Sequence, residues 1–520
     1  MSQPDDLREA ALVRGLVIGL ALAACSVTPS PTPQPTPTAI PLPSPSPSPT
    51  AVPPVAFPLA AVTGYTNLKA DTTSAELLAM ARDGSLVLPC GLVEVLGIAV
   101  SADAACTDAT AIAGLLAADQ KRLALLPPGL VEPKTKVLPV DGADLFGGPA
   151  ARALAYPVIG RTIKLPAPWV SYNAADIRTI VSLGDSCPDR GVAYQAITLN
   201  KGWAWVFGGG RVRYLRIYPN PTPFGTVGNG FNIVDAVPIG DQGAVARLVS
   251  GADITLDDFE CPVVQNWTVN DALSFSIDPA VLPHLRDDYG VDVVTLAENH
   301  VFDRGTAGFL ETLQRFAAAG IQQTGAGADL NAALTPAVVV RNGLRFAFVG
   351  FNDVPGPQAA APGVPGVAWL NEANIRAGVS RARAAADVVI CIPQWWGGYE
   401  YHNDFTASEV QQQALFYDAG CDQILGHGTH CTGPLNFTTD ASGAIHFTIG
   451  SHGNFLFGQG WSQQTSEGVI VELAFRGTRL VQARMHPYFV LDQAQVNLTD
   501  PQSDGRYVLQ RIYENNQTSC

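Results

Sequence analysis

The most informative segment of the chain reads Ala297-Glu298-Asn299-His300-Val301-Phe302-Asp303-Arg304-Gly305. An apolar run from Val291 to Leu296 precedes it and predicts a buried parallel strand. An amphipathic run from Thr306 to Ala319 follows it and predicts a helix that ends at Gly320. Open α/β sheets bind ligands at the carboxyl ends of their strands, so the position of Asn299-His300 indicates a catalytic or ligand-binding site. The same pair also fits a helix-capping Asn beside a His that is merely hydrogen-bonded.

Strands and helices alternate on both sides of this segment. Further strands are predicted from Ile177 to Leu183, Asp253 to Leu256, Leu344 to Phe351, Asp387 to Ile392, Ala444 to Ile449 and Gly468 to Ala474, the last two antiparallel or edge-like. Helices are predicted near Ala244 to Ser250, Asn374 to Ala386 and Ala407 to Ala419, the last with a capping box at Thr406 and Glu409 and an end at Gly420. This alternation predicts a layered α/β fold rather than an all-β sandwich.

Five polar clusters fall at or just after predicted strand ends. They are Gly184-Asp185-Ser186-Cys187-Pro188-Asp189-Arg190-Gly191; Asp257-Asp258-Phe259-Glu260-Cys261-Pro262; Asn299-His300; Trp395-Trp396-Gly397-Gly398-Tyr399-Glu400-Tyr401; and Gly426-His427-Gly428-Thr429-His430, with Gly453-Asn454-Phe455 downstream. Each cluster alone is compatible with helix capping or packing. Together they alternate oxygen and imidazole donors along the sheet, which is typical of a metal site assembled from several loops.

In this order the clusters resemble the motifs of bacterial capsule-synthesis proteins of CapA type, a family linked to poly-γ-glutamate capsules. The matching motifs are Gly-Asp-x4-Arg-Gly, Ala-Asp-x5-Phe-Glu-x-Pro, Ala-x-Asn-His-x-x-Asp-x-Gly, Trp-Gly-x-x-Glu-Tyr, Gly-His-x-x-His and Gly-Asn-Phe, between Ile177 and Leu491. The resemblance implies a fold similar to the calcineurin-like metallophosphoesterases, a layered αββα sandwich. It also implies a role in the synthesis, export or processing of a capsule or envelope polymer.

The resemblance assigns roles to individual residues. The implied metal ligands are Asp185, Asp258, Glu260, Asn299, His427 and His430, and the implied catalytic residues are His300, Asp303 and Arg190. His300 would act as proton donor or oxyanion stabiliser. A set of carboxylates and imidazoles suits manganese, iron or zinc, which can activate water and polarise a phosphoryl or acyl oxygen. We expect these side chains to line one cleft at the carboxyl ends of the central strands.

The chain departs from the family pattern at several of these positions. Gln394 or Trp396 stands where the family has a His, Gly428 replaces a further His, and Asp258 replaces an Asn. His452 is an additional predicted metal ligand that could replace a lost one, as could Glu298, although His452 also fits a hydrogen-bonded loop residue. With two imidazoles lost, both a metal-dependent hydrolase and a non-catalytic polymer-binding or assembly factor remain open.

The first residues resemble a bacterial lipoprotein signal. Arg8 and Arg14 precede an apolar stretch that ends in Leu22-Ala23-Ala24-Cys25, so residues 1–25 are predicted as the signal, with lipidation at Cys25. A secretory signal with a chance cysteine is the alternative. Residues 26–55, rich in Pro, Ser and Thr, are predicted as an extended linker. We therefore expect an extracytoplasmic protein anchored to the cytoplasmic membrane by a lipid.

Three further regions complete the predicted organisation: 56–170 as a small α/β domain with a helix near Ser74 to Arg82, 171–495 as the CapA-type domain, and 496–520 as a C-terminal extension. Parts of 56–170 resemble phosphate-type periplasmic solute-binding proteins, among them Leu123-Ala124-Leu125-Leu126-Pro127-Pro128. A ligand-free accessory domain is equally compatible. A solute-binding role for the whole chain would leave the ordered motifs unexplained.

The net charge limits the classes of partner, and the cysteines bear on the cellular compartment. The 520 residues carry a formal net charge of −15, which argues against nucleic-acid binding. The expected partners are an anionic envelope polymer, the membrane through the lipid anchor, and other proteins of the capsule machinery. Disulfides are permitted outside the cytoplasm. Cys187 and Cys261 could pair beside the site if their strands are neighbours, whereas Cys90 and Cys106, and Cys421 and Cys431, are close in sequence.

Overall fold

The computed structural model describes residues 55–92, 106–162, 169, 172–219, 232–269, 273–398 and 400–514. The predicted signal with Cys25, and the predicted linker except for its last residue, lie outside these ranges. Across the described ranges, no helix combines the length and the apolar character needed to cross a membrane.

A ten-stranded sheet forms the first of two packed layers. Its strand Ile177–Cys187 is buried along its whole length and pairs parallel with Ile254–Phe259 and antiparallel with Glu467–Arg476. The strand order is Gln322–Thr324, Val293–Thr295, Ile254–Phe259, Ile177–Cys187, Glu467–Arg476, Arg479–Leu491, Gln495–Leu498, Arg211–Pro219 and Asn232–Gly240, with Asn454–Phe457 paired alongside Ile177–Cys187. The strand predicted from Gly468 to Ala474 is thus antiparallel to both of its neighbours, and it lies inside the sheet rather than at an edge.

A six-stranded sheet forms the second layer. Its order is Ala337–Arg341, Leu344–Asn352, Val388–Gln394, Gln423–Leu425, Ile445–Ile449 and Leu435–Thr439. The four inner strands are parallel to their neighbours among themselves, and both outer strands are antiparallel. Val388–Gln394 is apolar over most of its length because both of its faces are covered.

An apolar core holds the two sheets face to face. It brings Ile180, Leu256 and Val293 of the large sheet together with Phe346, Ile390 and Leu425 of the six-stranded sheet. Helix Gly305–Ala319 covers the other face of the large sheet, and helices Glu372–Ala385 and Ala407–Ala419 cover the other face of the six-stranded sheet. The layers therefore run helix, sheet, sheet, helix, which confirms the predicted αββα sandwich.

The helices begin and end close to the predicted residues. Gly320 and Gly420 adopt the left-handed conformation that ends a helix, and Thr406 and Glu409 form the predicted capping box. The α-helices span Ser74–Asp83, Ile112–Ala118, Pro149–Arg152, Arg190–Ala193, Trp203–Phe207, Ala244–Val249, Val281–Pro283, Gly305–Ala319, Leu330–Ala333, Glu372–Ala385, Ala407–Ala419, Gln463–Ser466 and Arg506–Glu514.

The regions on either side of the sandwich pack against it. A three-stranded sheet of Ala124–Leu126, Ala60–Gly64 and Thr135–Val137 shares its apolar core with Ile177, Ala474 and Val481. Val55–Pro58 pairs with Ile159–Thr162, and Ala326–Gly327 with Gly366–Val367. At the other end, strand Gln495–Leu498 belongs to the large sheet and helix Arg506–Glu514 packs into the core between the sheets. The predicted boundary after residue 495 therefore falls within a strand of the sandwich.

Three disulfides occur among the described residues: Cys90–Cys106, Cys187–Cys261 and Cys391–Cys421. The Cys187–Cys261 bond links two neighbouring parallel strands at their carboxyl ends, next to the predicted site. Cys421 bonds Cys391 rather than its sequence neighbour Cys431, because Cys391 lies on the strand against which the chain packs after Gly420.

Candidate metal centre

The predicted polar clusters meet at the carboxyl ends of strands from both sheets. The large sheet contributes Asp185 and Asp258 from two paired strands, in register with each other, and Glu260 follows directly. The six-stranded sheet contributes His427 and His430, which follow strand Gln423–Leu425. All five side chains are buried. Parallel strands bring their carboxyl ends to one edge, which is why segments far apart in sequence converge there.

Two groups of three side chains could each hold a metal ion. One consists of Asp185, Glu260 and His430, and the other of Asp185, Asp258 and His427. Within each group, the potential ligand atoms lie within 4.8 Å of one another. Asp185 belongs to both groups, so its carboxylate lies between two candidate ion positions.

Both imidazoles face the shared carboxylate. His427 Nδ1 lies 3.2 Å from Asp185 Oδ1 and 3.3 Å from Asp258 Oδ2. His430 Nδ1 lies 3.4 Å from Asp185 Oδ2 and 2.9 Å from Asn454 Oδ1. His430 has φ of 56°, a left-handed conformation that is strained for a non-glycine residue and recurs at functional sites.

Two glycines allow the loops to approach this closely. A Cβ on Gly184 would lie 1.9 Å from the carbonyl oxygen of Gly453, so only glycine fits beside Asp185. Gly428 has φ of 104°, and a Cβ there would lie 2.5 Å from the carbonyl oxygen of Trp395. The histidine that the family resemblance implies at position 428 therefore has no room on this backbone.

Burial raises the pKa values of the carboxyl groups, whereas the imidazoles lower them, and the balance differs from one group to the next. Burial by itself would raise the pKa of Asp185, but hydrogen bonds from His427 and His430 hold it below its ordinary value. Burial raises the pKa of Asp258 to about 6 and that of Glu260 to about 7, because attraction to the imidazoles offsets burial only in part. The imidazoles thus outweigh the effect of burial on the pKa of Asp185, but offset it only in part for Asp258 and Glu260.

The imidazoles hold their protons more firmly than usual. Burial opposes the charged form of His430, yet contact with Asp185 and attraction to Glu260 raise its pKa to about 9. The pKa of His427 is raised as well, because Asp258 and Asp185 outweigh its burial. A metal ion that binds to these imidazoles would therefore have to displace their protons.

Unpartnered buried atoms test whether a cation fits this cluster. Among the residues that the structure describes, both carboxylate oxygens of Asp258, Glu260 and Glu298 and the Nε2 atom of His427 are buried without a hydrogen-bond partner. Buried carboxylates are stable only when they are paired, protonated or bound to a metal. Hard oxygen donors mixed with imidazole nitrogen suit a divalent ion. The cluster therefore fits a divalent metal site.

His300 lies at the opening of the cluster, with 23% of its side chain exposed. Its Nε2 atom is 3.9 Å from Glu260 Oε1, and its Nδ1 atom is 2.9 Å from Asp303 Oδ2. The same Asp303 oxygen accepts a hydrogen bond from the backbone N–H of Phe275. Burial opposes protonation, but Asp303 and Glu260 raise the pKa of His300. Asp303 thus orients an imidazole that can reach both the cluster and solvent.

Other predicted site residues lie around these two groups of carboxylates and imidazoles. Asn299 is half-buried, and its Oδ1 atom accepts a hydrogen bond of 3.4 Å from Gln394. The Arg190 guanidinium stacks 4.7 Å from the centre of the Phe275 ring, which in turn contacts the His300 ring. His452 stacks on His427 with ring centres 4.5 Å apart and its Nδ1 atom 3.0 Å from the carbonyl oxygen of Gly426.

Two contributors were not among the predicted site residues. Asn454 orients His430 and is itself held by Gln459 and by the carbonyl oxygen of Thr465. Its Gly-Asn-Phe motif was visible in the sequence, but nothing there indicated a side-chain contact. Phe275 gave no signal, because it lies in a loop between the predicted strands.

The family model described as "Bacterial capsule synthesis protein PGA_cap" matches residues 179–459, more than half of the chain. The match includes every residue of the two candidate metal groups.

Curated relatives give the same result over a shorter span. The chain is 33% identical over 231 residues to the "PGA biosynthesis protein CapA" of Bacillus subtilis, covering 44% of this chain and 59% of that protein. It is 30% identical over 243 residues to the "Capsule biosynthesis protein CapA" of Bacillus anthracis, covering 45% and 57% respectively. The chain therefore matches less than two thirds of the length of these relatives.

Solved structures show a more distant likeness. A 5'-nucleotidase precursor from Thermus thermophilus is 13% identical, with a TM-score of 0.33, and the match covers 64% of this chain and 58% of that one. The sulfate thiohydrolase SoxB of the same genus is 14% identical, with a TM-score of 0.32, over 64% and 59%. Likeness at this level adds nothing to the fold as described above.

Proposed function

Because the chain belongs to the bacterial capsule synthesis protein family PGA_cap, we propose that it acts in the synthesis, export or processing of a poly-γ-glutamate-type envelope polymer. The names of its relatives from Bacillus subtilis and Bacillus anthracis, which refer to PGA and to capsule biosynthesis, support this role. The polymer would be the anionic partner expected from the sequence.

At the site, we propose metal-dependent hydrolysis. The observation that supports it is the pair of buried groups that share Asp185, with the partly exposed His300 beside them. Asp185, Glu260 and His430 would hold one manganese, iron or zinc ion, and Asp258 and His427 would join Asp185 in holding another. A bound ion lowers the pKa of water and polarises an acyl or phosphoryl oxygen.

The chain's own residues would supply orientation and proton transfer. His300 is the titratable group that reaches from the carboxylates to solvent, so its Nε2 atom would donate a proton to the leaving group. Asp303 fixes the ring through Nδ1, as a carboxylate does for a catalytic imidazole. Arg190, stacked on Phe275 next to this ring, would hold an anionic part of the substrate.

Metal analysis combined with a hydrolysis assay tests this proposal. Purified protein should retain a divalent metal and cleave poly-γ-glutamate or a phosphodiester, and Asp185→Ala should lose both the metal and the activity. Metal-loaded wild-type protein that cleaves neither substrate would contradict hydrolysis at this site. Loss of capsule polymer in cells that carry Asp185→Ala would tie the site to the proposed biological role.

A non-catalytic polymer-binding or assembly factor is the second candidate. It is favoured by the lack of a histidine where the family resemblance implies one, at Gln394 or Trp396, and by the lack of room for a side chain at Gly428. Wild-type protein that binds poly-γ-glutamate, contains no metal and cleaves nothing would support this function over hydrolysis.

We also propose that the protein works outside the cytoplasm, tethered to the membrane by a lipid on Cys25. The support is the sequence Leu22-Ala23-Ala24-Cys25 and the Pro-rich segment that follows it. Cys25→Ser should move the protein from the membrane fraction to the soluble fraction. An unchanged distribution would contradict the lipid anchor.

A further inference from the structure

Glu298 lies in the cluster but is in neither of the two candidate metal groups. Its side chain is 1% exposed, and neither of its carboxylate oxygens has a hydrogen-bond partner among the described residues. Its carboxyl group lies against that of Asp258, whose two oxygens also lack a hydrogen-bond partner among the described residues. Two buried carboxyl groups in contact need either a shared proton or a cation.

Other potential ligand atoms of the cluster, near Asp258 and Asn299, also lack hydrogen-bond partners among the described residues. His427 Nε2 is fully buried and has no partner in the described part of the chain. Gln394 is 3% exposed; its Oε1 atom has no partner there either, while its amide nitrogen donates to Asn299. These atoms belong to strands and loops of both sheets, so no single segment explains their common lack of partners. A bound ion would satisfy several of them at once.

Oxygen atoms outnumber nitrogen atoms among these donors. Asp258, Glu298 and Gln394 offer carboxylate or amide oxygen, whereas His427 offers one imidazole nitrogen. Carboxylate and carbonyl oxygens suit manganese and magnesium, whereas imidazole suits zinc. The composition of this half of the cluster therefore bears on which ion it holds.

We propose that Glu298 is a metal-binding carboxylate beside Asp258 and His427, and that it shifts this half of the site from zinc towards manganese. This inference rests on the proposed metal site but is separate from the polymer and from the reaction. Glu298 supplies a charged oxygen at a position where an imidazole would favour zinc.

Glu298→Gln keeps the shape and removes the charge, so it tests the proposal directly. The dissociation constant for Mn²⁺, measured by titration calorimetry on the full chain, should rise by about 10- to 100-fold, and that for Zn²⁺ by less. Glu298→His should favour zinc. The ratio of the dissociation constant for Zn²⁺ to that for Mn²⁺ should fall at least tenfold relative to wild type.

Asp257→Asn is the matched control. Asp257 is an equally buried carboxyl group on the same strand as Asp258, but it points to the opposite face and is hydrogen-bonded to Ser186. It should change Mn²⁺ binding far less than Glu298→Gln does. Equal effects of the two variants would mean that only the local charge matters and would overturn the assignment.

A second readout separates a ligand from a protonated structural carboxyl. If Glu298 only donates a proton to Asp258, the Gln amide can replace that hydrogen bond and Mn²⁺ binding will not change, which would overturn the proposal. If Glu298 is a ligand, the variant should be more stable than wild type without metal but gain less on Mn²⁺ addition. Wild-type protein that binds no metal would contradict the proposed function itself. Should Glu298→Gln not fold, the Zn²⁺ to Mn²⁺ ratio of Glu298→His decides the question alone.

Discussion

Asp185→Asn should remove both ions, whereas Glu260→Gln should remove one. Asp185 is the only residue common to the two candidate groups, and Glu260 belongs to one of them. Losing one ligand lowers the affinity for an ion by at least the 10- to 100-fold that is typical of disturbed metal sites, which corresponds to about 1.4–2.7 kcal/mol of binding free energy. Asp185→Asn applies that loss to both ions, so their combined binding constant should fall about 10²- to 10⁴-fold.

Thermal unfolding gives the same comparison in free energy. An ion at 100 times its dissociation constant stabilises the folded state by about 2.7 kcal/mol, so two ions contribute about 5 kcal/mol. Glu260→Gln should lose about 1.3–2.3 kcal/mol of this stabilisation, and Asp185→Asn about twice as much.

Metal content after dialysis against a fixed Mn²⁺ concentration, together with unfolding curves with and without metal, measures both effects. Asp303→Asn is the control, because Asp303 contacts His300 and belongs to neither group. Equal metal loss in Asp185→Asn and Glu260→Gln would refute the shared position of Asp185. Full metal content in Asp185→Asn would refute the site.

Three further outcomes are expected. His300→Ala should lower turnover by about 10²- to 10⁴-fold, with metal content nearly intact, as checked by kinetics and metal analysis on the same sample; parallel loss of metal would make His300 a ligand. Metal-free protein should become less stable as the pH rises from about 4 to about 9: the folded state raises the pKa of Asp258 to about 6, of Glu260 to about 7 and of His430 to about 9, so it binds more protons than the unfolded chain. Denaturant unfolding in a chelator at pH 5 and pH 9 measures this, and higher stability at pH 9 would contradict it. Replacing Cys187 and Cys261 by Ala should lower the free energy of unfolding by about 4 kcal/mol, because that bond closes a loop spanning 74 residues; denaturant unfolding of the double variant measures this loss, and an unchanged midpoint would show that the bond contributes little.

Local sequence patterns predict much of the fold and most of the residues that form the candidate site. Helix Ala407–Ala419 was predicted to the residue, because a capping box and a helix-ending glycine are written in adjacent positions. The layered sandwich followed from apolar runs that alternate with amphipathic ones. The order of the polar motifs indicates the family, and the same motifs contain the candidate ligands Asp185, Asp258, Glu260, His427 and His430.

The pairings between these residues depended on tertiary structure. Sequence spacing does not show that Asp185 lies between two groups, that Asn454 orients His430, or that Cys421 bonds Cys391. Nor does it show that Gly428 has a left-handed backbone pressed against Trp395, which leaves no room for an imidazole.

The physical reason is the range over which each interaction acts. Helix caps, hydrophobic periodicity and strand ends depend on residues a few positions apart, so the sequence by itself determined the elements, their layers and the kinds of side chain at their ends. Contacts between side chains from different strands depend on sheet order and register, which long-range packing sets. Only the folded chain therefore decided that one aspartate serves two candidate metal positions, and that Glu298 lies beside Asp258 without a hydrogen-bond partner in the part of the chain that the structure describes.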